Sequence, residues 1–186
     1  SITNAAVSDM VKKLVKDGLI INHAYKGLEL TDQGQKMGRQ LIRHHRLWEV
    51  FLSNVLGLSW DEIHEEAEHL EHAASVSLMD RIDAYLNYPA VDPHGNPIPD
   101  KEGHIVVSDH EVLLSACAEN ECVNISRFVG MDAAYLEHIA SIGLTVGSDI
   151  QIIKKITFDQ SLVCKVNDKE ATITGQAAEH IYVTVA

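Results

Sequence analysis

The sequence predicts an α+β protein: a helical front that carries one short hairpin, a helical middle, and a small β-barrel at the back. Three observations predict it. Apolar residues recur at helical spacing up to about residue 88. All four prolines, Pro89, Pro93, Pro97 and Pro99, fall in one connector, "YPAVDPHGNPIPD". Beyond it, short β-prone runs with Gly and Asn turns replace the helical pattern.

Taken in order, the first element is a helix over about 4–17. Thr3 or Asn4 can cap it, Gly18 can end it, and Val7, Met10, Val11 and Leu14 repeat at helical spacing, so Val7, Val11 and Leu14 are expected in the core. "LIINHAYKGLELT" then alternates around a turn at "YKG", as a two-stranded hairpin does. Thr31 caps the next helix, which runs to about Leu56 before Gly57 stops it. Ser59 caps a third, expected to run unbroken from Trp60 to Tyr88. Helix, hairpin, helix is the tail of a winged helix-turn-helix. After the connector, strands are expected in "HIVV", "ECVNISRFV", "DIQIIKKITF", "SLVCKV", "EATITG" and "HIYVTV", with one helix in "DAAYLEHIASIG".

Composition narrows the function classes. No run of 18 apolar residues is present, so a membrane span is not expected. The first residues lack the pattern of a signal peptide, and Cys117, Cys122 and Cys164 follow no zinc or disulfide spacing, so a reducing cytoplasm is expected, with the cysteines as buried small hydrophobes. Net charge is −12, which alone argues against nucleic acid. Its distribution says otherwise. Residues 1–40 carry six Lys/Arg against four acids, whereas 57–87 carry eight acids and one Arg.

Eleven histidines raise the question of metal. In "IHEEAEHLEHAASV", His64, Glu68, Glu71 and His72 fall on one helical stripe, with Glu66 and His69 further round. The preceding helix repeats the device, with His45 and Glu49 at i and i+4. Two such helices side by side could hold a divalent ion. Imidazole and carboxylate without thiolate suit Mn²⁺, Fe²⁺, Co²⁺ or Zn²⁺. The competing reading of each pair is a solvated helix face. Enzyme templates fail on the letters. Position 68 is Glu, so neither His-Glu-x-x-His nor its inverse is complete. Glu66 with His69 has no second Glu-x-x-His for a di-iron bundle.

The stretches "VSDMVKKLVKDGLI", "GLELTDQGQKMGRQLIRHHRLWEVFL", "IHEEAEHLEH" and "DPHGNPIP" resemble the DtxR/MntR family of metal-dependent transcriptional repressors, in its three-domain, manganese-responsive branch from Gram-positive cocci. "IASIGLTVGSDIQII" and "GQAAEHIYV" resemble an SH3-like FeoA module. The resemblance implies three domains: a partial winged helix-turn-helix over 1–40, lacking its first helices, a helical metal-binding and dimerisation domain over 41–100, and an SH3-like FeoA-type β-barrel over 101–186. It implies an activating site with Glu68, Glu71 and His72, and an ancillary site with His45, Glu49 and His64. Asp132 and Asp92 stand where some relatives place further ligands; as plain residues they would be a helix cap and a turn former. Tyr135 stands where another member has an amide.

By the same resemblance, Mn²⁺ is the expected effector and Fe²⁺ the alternative, with Zn²⁺, Co²⁺ or Cd²⁺ as substitutes in vitro. The partner is double-stranded palindromic operator DNA, bound by a homodimer that represses metal-uptake genes. The first helix would read it, through Thr3, Asn4, Ala5, Ser8, Lys12 and Lys13, with Lys26 at the wing tip on the backbone. Lys12 and Lys13 could equally be a wet helix face. Trp48, Phe51, Leu78 and Ile82 are the dimerisation candidates, though intrachain core is their other reading. A metal-storage protein and a metalloenzyme are the competing functions.

Overall fold

Side-chain caps start the front helices. In the computed structural model, which describes residues 3–130, 133–166 and 169–185, Thr3 accepts from the Ala6 N–H and opens α1 (Asn4–Lys16). Strands β1 (Ile20–His23) and β2 (Gly27–Leu30) pair antiparallel around Tyr25 and Lys26. Thr31 then does two jobs. Its hydroxyl accepts from the Gly34 N–H at 3.0 Å, capping α2 (Asp32–Asn54), and donates to the Gly18 carbonyl at 2.7 Å. The end of α1, the wing and the start of α2 are thus fastened at one residue. Gly34 belongs there because a Cβ would meet the Leu19 carbonyl oxygen at 2.0 Å.

The expected long helix from Trp60 to Tyr88 is two helices. Strand-like backbone at Ser75 separates α3 (Trp60–Glu71) from α4 (Val76–Tyr85), and the Ser75 side chain accepts from the Leu78 N–H. A cap residue in mid-pattern can start a new helix without disturbing the apolar spacing on either side. The consequence for the site is direct: His72 becomes the C-cap of α3 rather than an interior helical residue.

Packing joins α2 to both. Leu47, Met79 and Ile82 form one buried cluster between α2 and α4; Leu52, Ile63 and Ala67 form another between α2 and α3. Fully burying one such side chain contributes about 1.5–3 kcal/mol. A buried Arg43 adds a polar clasp from α2 to α4, donating to Asp83 at 2.8 Å and to Asp80 at 3.3 Å. The expected core of α1 is not found. Val7 is 48% exposed, Val11 and Leu14 are half-buried, and no described residue of α1 is buried.

The back half is a sheet, but not a barrel. Its strands are β3 (Glu111–Leu113), β4 (Cys122–Phe128), β5 (Asp149–Lys155), β6 (Leu162–Val166), β7 (Lys169–Ile173) and β8 (Ile181–Val185). They are ordered β3-β8-β4-β5-β6-β7, with every pair antiparallel. Closure needs hydrogen bonds between the first and last strands, and among the described residues β3 and β7 do not pair. Strand β3, three residues long, and β7 are the two edges of the open sheet. "HIVV" is exposed coil rather than a strand, and β3 follows it. Helix α5 (Ala133–Ser141) and a short α6 (Gly175–Ala178) cover the sheet, whose apolar face forms the largest buried cluster. Cys117 and Cys164 lie in that cluster as expected, whereas Cys122 is exposed. Among the described residues no helix is long and apolar enough to cross a membrane.

The halves meet at Trp60 and along the connector. Trp60, at the start of α3, packs edge-on against Phe128 of β4 at 5.3 Å and tilts over His94 of the connector at 5.0 Å. The connector itself is pinned to the sheet where the Phe128 N–H donates to the His94 carbonyl at 2.9 Å.

Candidate metal centre

The i, i+4 spacing of His45 and Glu49 places both on the buried side of α2, facing α3. His45 Nε2 lies 3.0 Å from Glu49 Oε1 and 3.2 Å from His64 Nδ1, and His64 Nδ1 lies 3.4 Å from the same Glu49 oxygen. The connector adds a third imidazole: His94 Nδ1 is 3.6 Å from Glu49 Oε2. These groups line a cleft of about 520 Å³ between α2, α3 and the sheet module.

Glu49 is the charge at the middle. Its side chain is 3% exposed. Burial alone would push its carboxyl up, but the bonds from His45, His64 and His94 outweigh burial and hold it well below the usual carboxylate range. Reciprocally, His45 is raised although burial opposes it, because Glu49 and Glu71 both bond its ring. His64 is raised chiefly by its bond to Glu49. Burial lowers His44, whose Nδ1 faces the Glu71 carbonyl instead of a carboxylate.

The donor set fits a divalent cation. Both imidazole nitrogens can donate to Glu49 Oε1 only if both carry protons that then crowd each other across 3.2 Å. One cation suits all three atoms at once. The ring is oriented for it: His45 Nδ1 lies 2.7 Å from Glu71 Oε2, so in the neutral imidazole that an ion would require, the proton sits on Nδ1 and the Nε2 lone pair faces the cluster. A carboxylate behind a ligating imidazole is the usual support for such a ring. Nitrogen and oxygen without sulfur is chemistry for Mn²⁺, Fe²⁺, Co²⁺ or Zn²⁺.

The expected stripe on α3 divides. Glu71 turns to His45, and His72 Nε2, on a side chain 71% exposed, reaches Glu71 Oε1 at 3.2 Å. Glu68 is 64% exposed and 3.9 Å from His64 Nε2. The structure therefore gathers His45, Glu49 and His64, attaches Glu71 behind them, and leaves Glu68 and His72 at the rim. Asp92 is buried beside Glu49 and His94, its carboxyl raised mainly by burial. Asp132 lies outside the described residues. Tyr135 donates to the Ala177 carbonyl at 3.4 Å, and burial pushes its hydroxyl up. The candidate residue that spacing alone missed is His94: nothing local distinguishes it from a turn histidine, and only the folding back of the connector brings it to Glu49.

The other candidates are also placed. Asn4, Ala5, Ser8, Lys12 and Lys13 are exposed on α1, with Lys12 3.0 Å from Asp9, and Lys26 is exposed at the wing tip. Ile82 is buried intrachain core, Trp48 and Phe51 pack against the same cluster, and Leu78 is 44% exposed.

Known proteins share these domains and this fold. Residues 31–100 match the family described as "Iron dependent repressor, metal binding and dimerisation domain", and residues 112–185 match the FeoA domain. Among curated relatives, "Iron-dependent repressor IdeR" of Mycobacterium leprae (strain TN) is 42% identical over 93 residues, covering 50% of this chain and 40% of that protein. The chain thus spans under half the length of that relative. Solved structures match across all of it, among them the following two. "Crystal Structure of ScaR with bound Cd2+" has TM-score 0.85 and 35% identity, with 86% of that chain covered. "Manganese-dependent transcriptional repressor complex with manganese" has TM-score 0.89 and 34% identity, also with 86% covered. Matched domains in the same order, a shared fold along its full length and a nitrogen–oxygen donor cluster at the α2–α3 junction place the chain in the DtxR/MntR family of metal-dependent transcriptional repressors, whose members are regulators rather than enzymes.

Proposed function

We infer that this chain is the sensing part, with part of the DNA-reading head, of a manganese-responsive repressor that binds palindromic operator DNA as a homodimer and controls metal-uptake genes. The observation that carries this is the convergence of His45, Glu49 and His64 around a point beside α3, within a fold shared with a manganese-dependent repressor. Iron is the alternative effector. In this reading the domains are residues 1–40, 41–100 and 101–186. The three-domain, manganese-responsive branch and the helices expected ahead of α1 are parts of the same proposal. The exposed apolar side of α1 and the wing, with Val7, Met10 and Leu28, is a seat for those helices.

His45, Glu49 and His64 would hold one ion. Glu68, Glu71 and His72, completed by a ligand from the upstream helices, would hold the activating one, and Asp132 is a candidate from the sheet module. A bound divalent ion supplies positive charge that relieves repulsion among these carboxylates. The chain does the rest. Glu71 keeps the His45 ring turned. Helix α2 runs without a break from the wing to His45, about 20 Å at 1.5 Å per residue, so a change in how α3 sits on α2 is carried to the α1 reading head as a rigid tilt. Asn4, Ala5, Ser8, Lys12 and Lys13 would face the groove, Thr3 would fix the start of that helix, and Lys26 would meet the backbone. Two-fold pairing through the α2–α4 side, with exposed Leu78 and the neighbouring Trp48 and Phe51, would set the spacing of two heads on a palindrome. Metal binding the DNA-competent form more tightly makes the switch a population shift.

A gel shift of the full-length protein on palindromic operator DNA tests this reading. Retardation should require Mn²⁺ and vanish with chelator. Retardation of equal strength without any divalent ion would rule out metal control, and saturable Mn²⁺ uptake with no retardation would favour metal storage.

A further inference from the structure

On α1, Val7, Val11 and Leu14 share one side, at about 100° per residue. Asp9 lies on the opposite side, with Ala5, Lys12, Lys13 and Lys16 within about 60° of it. It is the one carboxylate of that helix, and it stands in the middle of a face that three lysines otherwise make basic. Its side chain is 76% exposed, and its partner is Lys12, whose Nζ lies 3.0 Å from Asp9 Oδ1. Stability does not account for it. An ion pair this exposed contributes little, and Asp9 sits in the second turn, beyond the reach of the dipole at the helix start. The neighbouring Ser8 turns its hydroxyl back to donate to the Asn4 carbonyl at 2.9 Å. The polar group at the centre of the face is thus an acid, on a helix that in the reading above meets a polyanion.

We propose that Asp9 is a base-reading residue that selects cytosine, its carboxylate accepting a hydrogen bond from the N4 amino group in the major groove. The inference rests on the repressor reading above. A carboxylate only accepts. Guanine and thymine offer it no donor at their major-groove edges. Adenine places its N6 donor beside the N7 acceptor, which the second carboxylate oxygen would face, whereas cytosine N4 has no acceptor beside it on the same base. Lys12 makes the approach possible. In the free protein it neutralises the carboxylate, and with Lys13 and Lys16 it offsets repulsion from the phosphates. Because the Lys12–Asp9 pair is wet, it opens at little cost. Ala5, one turn earlier, is short enough to let the helix come close to the base edges. The acid therefore weakens binding everywhere on DNA and recovers it only at a cytosine, which makes it a source of specificity more than of affinity.

The test uses the full-length protein with Mn²⁺ and selection from a pool of random duplexes, with thermal melts of each variant to confirm folding. Wild type should select cytosine at one position of each half-site. Fluorescence anisotropy on the selected duplex should show binding about 10-fold weaker when that C·G pair is changed to T·A, within the usual cost of one mismatch. Asp9→Ala should shrink this difference to under about threefold, leave the preferences at other positions unchanged, and bind unselected duplex a few-fold more tightly, because one negative charge has left the face. Asp9→Asn, whose amide matches adenine N6 and N7, should move the selected base from cytosine toward adenine. A purely structural role would weaken every sequence alike. The proposal is overturned if Asp9→Ala selects the same bases as wild type, or if its binding falls equally on the C·G and T·A duplexes. Failure of wild type to select any sequence with Mn²⁺ would overturn it together with the repressor reading.

Discussion

Replacing Glu49 by Gln keeps the shape of the side chain and removes its charge. Glu49 faces three imidazoles, at 3.0, 3.4 and 3.6 Å, from a side chain 3% exposed. Changing a group that merely supports a ligand costs 10- to 100-fold in metal affinity. Removing the buried charge at the centre of the donor set should cost at least about 100-fold, or about 2.8 kcal/mol at 1.4 kcal/mol per tenfold. Calorimetric titration with Mn²⁺ at fixed pH measures this directly. The metal-free fold should suffer less. A charge-assisted bond contributes about 1.5–3 kcal/mol and a neutral one about 0.5–1.5, so Glu49→Gln should lose roughly 1–2 kcal/mol in urea while the imidazoles are protonated, and less once they are neutral. Unchanged Mn²⁺ affinity at this site would refute the assignment of Glu49 as its central donor. A stability cost independent of pH would refute the electrostatic account.

The two pH trends of the wild type should run in opposite directions. His45 and His64 are raised, so their contribution to the metal-free fold is complete below about pH 6.5 and is lost as pH climbs through the raised values; that of Glu49, held low, disappears only as pH falls through its depressed value. Melting temperature without metal should therefore fall as pH rises above about 6.5 from this source, while Mn²⁺ affinity rises as protons leave the imidazoles. Leu47→Ala, in the fully buried α2–α4 cluster, should destabilise by about 2–5 kcal/mol in chemical denaturation. Leu78→Lys changes an exposed position, so monomer stability should move by under about 0.5 kcal/mol, while sedimentation shifts from dimer toward monomer. Gly34→Ala drives a Cβ into the Leu19 carbonyl; a loss of about 1–3 kcal/mol is expected, read by hydrogen exchange in the wing.

The amino-acid order alone determined what depends on neighbours along the chain. Thr3, Thr31 and Ser59 mark helix starts, alternation marks the wing, the proline cluster marks the connector, and the i, i+4 spacing of His45 and Glu49 puts two donors on one face. Tertiary structure decided what depends on distant segments. The α3–α4 break at Ser75 needed the cap to be chosen over continued helix, and that choice left His72 at a rim. Whether the back sheet closes depends on β3 meeting β7, two segments over fifty residues apart, and they do not meet. His94 became a neighbour of Glu49 because the connector folds back onto β4, and the same fold brings Asp92 to face Arg46 of α2. Periodicity reports which side of an element is buried. It carries no information about which other element will cover that side, and the candidate metal centre is assembled from three.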